Sequence, residues 1–251
     1  MKSASTLTAA ALLGGSLTLP QAAGAQTTIE SLGLTVTATP AVTTDYLFRG
    51  ISQTRGRPAA QFTLDVEHSS GLYIGGFISN VAFPGTNLRQ EVDGSFGYRF
   101  SLGDLKLDVG ATYFGYPGYE RPPGGYDWAW WEVNLRASQE VGPFKLLGQV
   151  SWSPNFNFES GNAVYVEGGF DLGSTVAGVT LSARAGYQWV EDNARFGLPD
   201  YGVFSVGLSR EIAFGVIGAV TFSHATVSRS DCFGGLAYCG TRVAATISRP
   251  F

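Results

Sequence analysis

Histidine is scarce in this chain: His68 and His224 are the only side chains that would act as a general base near neutral pH without help. Each continues the apolar face of an alternating stretch, His68 after Val66 and His224 after Phe222. An enzyme acting on lipid would pair such a histidine with a serine nucleophile. No serine, however, sits in a G-x-S-x-G turn, and the two histidines fall near opposite rims, so both read as interfacial side chains. No His, Cys and Asp cluster has metal-ligand spacing, and no glycine-rich loop opens a helix to cradle phosphate. The expectation is a protein without catalytic residues, metal or cofactor. Cys232 and Cys239 share one loop, SRSDCFGGLAYCG, and in an exported chain such a pair reads as a disulfide. A ring this small would stiffen an outward loop by about 2–3 kcal/mol.

The charged residues remain, and their spacing is regular. Asp65 and Glu67, Glu91 and Asp93, then Arg99, occupy every second position, opposite Leu64, Val66, Val92, Phe96 and Tyr98. Lys106 and Asp108, Glu132 and Arg136, Glu167 and Asp171, and Arg184 follow the same rule in their own stretches. Period two is the signature of a strand with one polar and one apolar face, and no helical period appears after Gln26. With Asp45 and Arg49 these charges form the expected inner lining of a lumen, solvated or paired, because an unpaired ion in a dry interior is very costly.

Connection lengths decide between a soluble sandwich and a membrane barrel. Short joints near Ser69–Gly71, Leu102–Asp104, Val141–Pro143, Gly173–Gly178 and Glu211–Gly215 take turns with long ones, as in Gly50–Pro58, Pro117–Asp127 and Ser228–Gly240. Outer-membrane barrels alternate in this way, tight turns at the periplasmic rim and long loops outside. The expected fold is all-β: one transmembrane antiparallel β-barrel of about twelve strands. These run roughly over 32–49, 59–69, 72–82, 90–101, 105–116, 127–140, 144–153, 163–172, 179–190, 201–210, 215–227 and 241–251. Most have about 9–14 residues, enough to cross a bilayer when tilted. Pro40 lacks a ladder donor, so a bulge is expected there, or a strand that starts near Val42.

Residues 1–25 read as a cleaved signal peptide: Lys2, an apolar run from Leu7 to Leu19, and Ala23-Gly24-Ala25 before the cut. A short segment, 26–31, then leads into a barrel over 32–251. Composition agrees. Glycine is 34 of 251 residues, near twice the usual ~7%. Charged residues are 14%, where a soluble globule has about 25%. The net charge of −4 and the lack of a basic cluster exclude nucleic acid as a partner. Aromatic residues gather at strand ends (Tyr46 and Phe48, Tyr113 and Tyr116, Trp128, Trp130 and Trp131, Trp152, Tyr187 and Trp189), where they read as interfacial girdles. The chain closes on Phe251, a partial match to a C-terminal signal for the barrel-assembly machinery.

Thr43–Thr54 reads TTDYLFRGISQT, with Pro58 and Gln61 after it. Ser70–Val81 reads SGLYIGGFISNV, and Tyr113–Gly118 reads YFGYPG. These segments resemble the TorF-type porin family, also known as the Gcw family of exported proteobacterial proteins. The resemblance covers the mature chain and implies a barrel in the outer membrane of a Gram-negative bacterium, surrounded by lipid and forming a pore. The expected function is passive passage of small hydrophilic solutes or ions through a narrow lumen, with weak cation preference. Two rivals stand beside it: a non-conducting structural or surface-binding barrel, and a lipid-modifying enzyme. Mixed charge leaves open whether the lumen holds water or is closed by its own ion pairs.

Overall fold

The alternating stretches form twelve long strands: β1 Leu34–Thr43, β2 Ala59–His68, β3 Leu72–Asn80, β4 Gln90–Leu102, β5 Leu105–Gly115 and β6 Trp130–Val141, then β7 Phe144–Ser153, β8 Ala163–Gly173, β9 Val179–Val190, β10 Tyr201–Ala213, β11 Val216–Ala225 and β12 Thr241–Ser248. The computed structural model describes residues 26–83, 85–173 and 178–251, so the expected signal peptide, 1–25, lies outside the described residues. Each strand pairs antiparallel with the next, and β12 pairs with β1, which closes the sheet into a barrel. Closure leaves no sheet edge, so every strand is paired on both sides.

The polarity is inverted relative to a soluble protein. Along β4 the exposed residues are Val92, Phe96 (64% exposed) and Tyr98, while Glu91, Asp93 and Ser95 are buried. Ile74, Leu135, Phe204 and Val220 continue the same outward apolar band on other strands. A face this apolar belongs in lipid, and the polar face turns to the barrel axis. Among the described residues no helix is long and apolar enough to cross a membrane; the outward apolar band lies on the strands.

Pro40 corrects one expectation. β1 runs through it without a bulge, in unbroken register with β2 from Leu34↔His68 to Thr43↔Ala59. The reason lies on the other side of the strand. Ala38 exchanges both backbone hydrogen bonds with Phe251, and Pro40 accepts from the Arg249 N–H. The missing proline donor therefore faces the β1–β12 seam and costs one seam bond, while the ladder to β2 stays whole. Below the seam Thr27–Ile29 adds a short strand beside Leu34–Val36, where β12 no longer reaches.

The turns at one rim are tight. At Gly71, φ is +97°, and a Cβ there would lie 2.1 Å from the Arg99 carbonyl oxygen, so only glycine fits. At the opposite rim the long connections gather over the mouth. The aromatic girdle needs a partial correction: Tyr113, Trp131, Trp152, Tyr187 and Trp189 face outward, whereas Tyr46, Tyr116 and Trp130 are buried inside. Strand parity explains the split, since Trp130 and Trp131 must point to opposite faces.

The outward band predicts a depth-dependent cost for charge. Phe96→Arg, at mid-strand, should destabilise the barrel folded in lipid vesicles by about 2–4 kcal/mol, and Leu102→Arg, at the rim, by about 0–1 kcal/mol. Denaturant unfolding monitored by tryptophan emission reads both; equal costs would contradict the placement.

Candidate functional site: a charged lumen crossed by the first loop

The motif TTDYLFRGISQT does not form the end of a long first strand with an outward loop. β1 stops at Thr43, and the following residues fold back into the barrel as a small hairpin, Leu47–Phe48 against Ile51–Ser52. Arg49 and Gly50 form its tip with φ of 47° and 78°, the paired left-handed conformation of a type I′ turn. Asp45 ties the base together. Its Oδ1 accepts from the Ser52 hydroxyl at 2.5 Å and the Thr54 hydroxyl at 3.0 Å, and Arg242 approaches its Oδ2 at 3.4 Å.

The hairpin reaches the far wall. Arg49 Nη2 meets Glu132 on β6 at 2.6 Å, Nη1 donates to Gln188 on β9 at 2.8 Å, and the guanidinium lies 4.3 Å from the Tyr165 ring centroid on β8. Gly50 packs on the next two strands: a Cβ there would be 2.6 Å from Val203 Cγ2 and 3.3 Å from Ala225. The side chains of Arg49 and Glu132 are 4% and 3% exposed. Beside them Glu91 accepts from Tyr46 at 2.6 Å and from Tyr116 at 2.7 Å. Asp93, 5% exposed, lies beside Glu91 and has no cation partner among the described ion pairs. This level therefore carries three carboxylates against one arginine.

A second charged level lies towards the tight turns. Arg99 on β4 is its centre, with Asp65 at 2.9 Å, Glu67 at 2.6 Å and Asp108 at 3.4 Å. Its guanidinium also lies 3.8 Å from the ring centroid of Tyr73, whose hydroxyl donates to Asp108 at 2.8 Å. Gly97 and Gly110 make room for that tyrosine, since a Cβ at either would approach its hydroxyl within 2.7 Å. Arg136 extends the rung to β6, 3.7 Å from Asp108. Farther round, Arg184 pairs with Asp171 at 2.5 Å, and Glu167 accepts from Tyr165 at 2.6 Å. Lys106 is partly buried near the same rim. The remaining wall is mostly small and hydroxyl-bearing, with Arg242 beside Asp45 as its charge: Thr37, Ser209, Thr221, Ser223, Thr246 and Ser248 are buried there. The barrel thus has a charged side, β2–β9, and a hydroxyl side, β10–β12 and β1.

The charged residues of the alternating stretches are buried or half-buried on the polar face of the sheet, and most of them are paired. What parity could not supply is the hairpin, because Arg49 contacts strands far away in sequence. Tyr46 and Tyr116 were read as girdle residues, yet they serve Glu91 instead. Tyr73 and Tyr165 do sit at polar-face positions, a signal available in the sequence. Cys232 and Cys239 are bonded, with Cα atoms 5.9 Å apart, in the long loop before β12. In that loop burial raises the Tyr238 phenol above its ordinary pKa, with Arg55, Arg57 and Arg242 pulling the other way. His224 contacts Thr241 at 2.9 Å. His68 Nδ1 lies 2.8 Å from the Ser70 hydroxyl but also accepts the Ser70 backbone N–H, which makes the contact part of a turn. Among the described residues no group of three or more His, Cys, Asp and Glu is placed to hold a metal ion.

The model of a bacterial family described as being of unknown function, Gcw_chp, matches residues 27–249. No curated protein matches the chain in sequence. Among solved structures, the KdgM porin is similar with a TM-score of 0.56 at 10% identity, over 86% of this chain and 99% of that one. The NanC porin is similar with a TM-score of 0.54 at 9% identity, over 85% and 97%. KdgM has also been solved in complex with disordered oligogalacturonate, at a TM-score of 0.54, 9% identity, and coverage of 86% and 98%. At such identity the likeness is one of fold.

The Arg49–Glu132 pair predicts a thermodynamic cycle. Arg49→Met or Glu132→Leu alone should cost about 3–5 kcal/mol, because each strands a buried charge. The double variant should cost clearly less than the sum. Additive costs in vesicle unfolding would mean that the two charges are not coupled.

Proposed function

The chain belongs to the bacterial Gcw_chp family, and from its architecture we propose that it is an outer-membrane, porin-like barrel passing small hydrophilic solutes or ions by diffusion, without cofactor or turnover. The observation that carries this reading is the closed barrel with lipid-compatible residues outside and hydrogen-bonding residues inside. In this reading residues 1–25 are removed on export, the barrel occupies 32–251, and the C-terminal strand ending in Phe251 engages the assembly machinery before lipid surrounds the band.

The lining residues set what passes. At the hairpin level Arg49 is spent on Glu132, and Glu91 accepts from two tyrosine hydroxyls. Asp93 has no cation beside it among the described ion pairs. Fixed negative charge against a low-dielectric wall concentrates cations. The relative KdgM is described with an oligogalacturonate, an acidic saccharide; the acidic constriction here favours cations and neutral solutes instead. The hydroxyl wall offers the path, since its groups hydrogen-bond without binding tightly.

One observation favours a second reading, a non-conducting barrel: the hairpin spans the lumen and the residues around it are almost fully buried. Planar-bilayer recording separates the two. Small, discrete, cation-preferring steps are expected, and Asp93→Asn should move the reversal potential in a salt gradient towards anions more than Glu91→Gln does. A complete absence of steps from correctly folded protein would establish the sealed barrel. Phospholipid hydrolysis abolished by His68→Ala would instead point to an enzyme.

A further inference from the structure

Above the hairpin the long loops do not splay into solvent. They close over a cavity of about 230 Å³, and eleven of its sixteen lining residues are aromatic. Phe48 and Ile51 of the hairpin form its floor, and Trp128 and Trp130 stand on one side. The roof comes largely from the disulfide loop: Phe233, Leu236 and Tyr238 all lie inside the ring closed by Cys232 and Cys239. The backbone locks roof to floor, since the Ser52 N–H donates to the Tyr238 carbonyl at 2.9 Å.

We infer that this chamber is a binding site for an uncharged, flat ring compound of one or two rings. Three observations carry the assignment. First, the size fits, because an apolar cavity of about 150 Å³ already accepts benzene. Second, the polar groups on the lining are mostly committed. Asn157 donates to the Trp128 carbonyl at 2.5 Å, Gln53 to the Ile51 carbonyl at 3.0 Å, Tyr116 to Glu91, and Tyr238 to the Ala82 carbonyl. A sugar would find few free partners, and a charged ligand would lose its hydration without compensation. Third, the walls are ring faces and edges, with Trp128 4.5 Å from Phe158 and 4.7 Å from Phe83 between centroids, a geometry that accepts another ring in offset or edge contact. Water in a chamber with so apolar a lining finds few partners, so an apolar ligand that displaces it is favoured. The site lies over the hairpin and takes ligand from outside. It goes beyond the channel reading and stands whether or not the barrel conducts.

Three of the five tryptophans, Trp131, Trp152 and Trp189, face lipid, so replacing them with phenylalanine leaves Trp128 and Trp130 as reporters inside the chamber. Titration of this full-length protein in vesicles with nitrobenzene should quench emission along a saturating curve. Replacing both cysteines with serine, or reducing the bond in folded protein, should raise the half-saturating concentration at least tenfold with the barrel's circular dichroism unchanged. Leu236→Phe, which narrows the chamber at its roof, should also raise the half-saturating concentration with the disulfide intact. Quenching that grows linearly with probe, as from partition into lipid, would overturn the site. So would a saturating curve that neither Leu236→Phe nor loss of the bond alters. Saturation by cellobiose or benzoate in place of nitrobenzene would overturn the ligand class.

Discussion

The ion pair between Arg49 and Glu132 joins the tip of a loop to the opposite wall, at 2.6 Å and almost wholly out of water. Neither charge has a tolerable alternative. An isolated ion at that depth would face a desolvation cost of several kcal/mol, and Arg49 also holds a left-handed φ that favours glycine or asparagine. The pair, the Gln188 hydrogen bond and the Tyr165 ring together hold the hairpin in the lumen. The loops above depend on it in turn, because Gln53 and Ser52 bond to Ala82 and Tyr238 in the roof. Floor, chamber and roof form one stack resting on that contact.

Below the hairpin the lumen solves its charge problem laterally. Arg99, stacked on Tyr73, and Arg136 together face three carboxylates from β2 and β5, so the rung is cross-linked and most of its charge is offset. Among the described residues the hydroxyl side carries lighter cross-links, the Arg242–Asp45 pair and the Thr246–Thr43 hydrogen bond. The proposed selection therefore falls at the hairpin level, where no cation pairs with Glu91 or Asp93 among the described ion pairs.

The strands were legible because period-two alternation is local: Glu91, Asp93 and Ser95 against Val92 and Phe96 fixes a face without knowledge of any partner. Cys232 and Cys239 were legible for the same reason, as near neighbours in one loop. The hairpin was not, since its partners Glu132 and Gln188 lie 83 and 139 residues from Arg49. Residues 44–49 kept enough alternation to pass for a strand. One of the segments that carry the family resemblance, Thr43–Thr54, is this inserted element. Aromatic position misled in part: a ring at a strand end can meet lipid, as Trp131 does, or the chamber, as Trp130 does, and only the fold of the loops distinguishes them. Pro40 looked like a defect until its neighbour at the seam, Arg249, was in view.

The central claim is that the hairpin narrows an otherwise continuous polar lumen. Single-channel recording of a chain in which residues 45–54 are replaced by a short Gly/Ser linker tests it most directly. Removal of the hairpin should give steps several-fold larger than those of the native protein, with weaker ion preference. Steps of unchanged size and selectivity from a correctly folded barrel would contradict it.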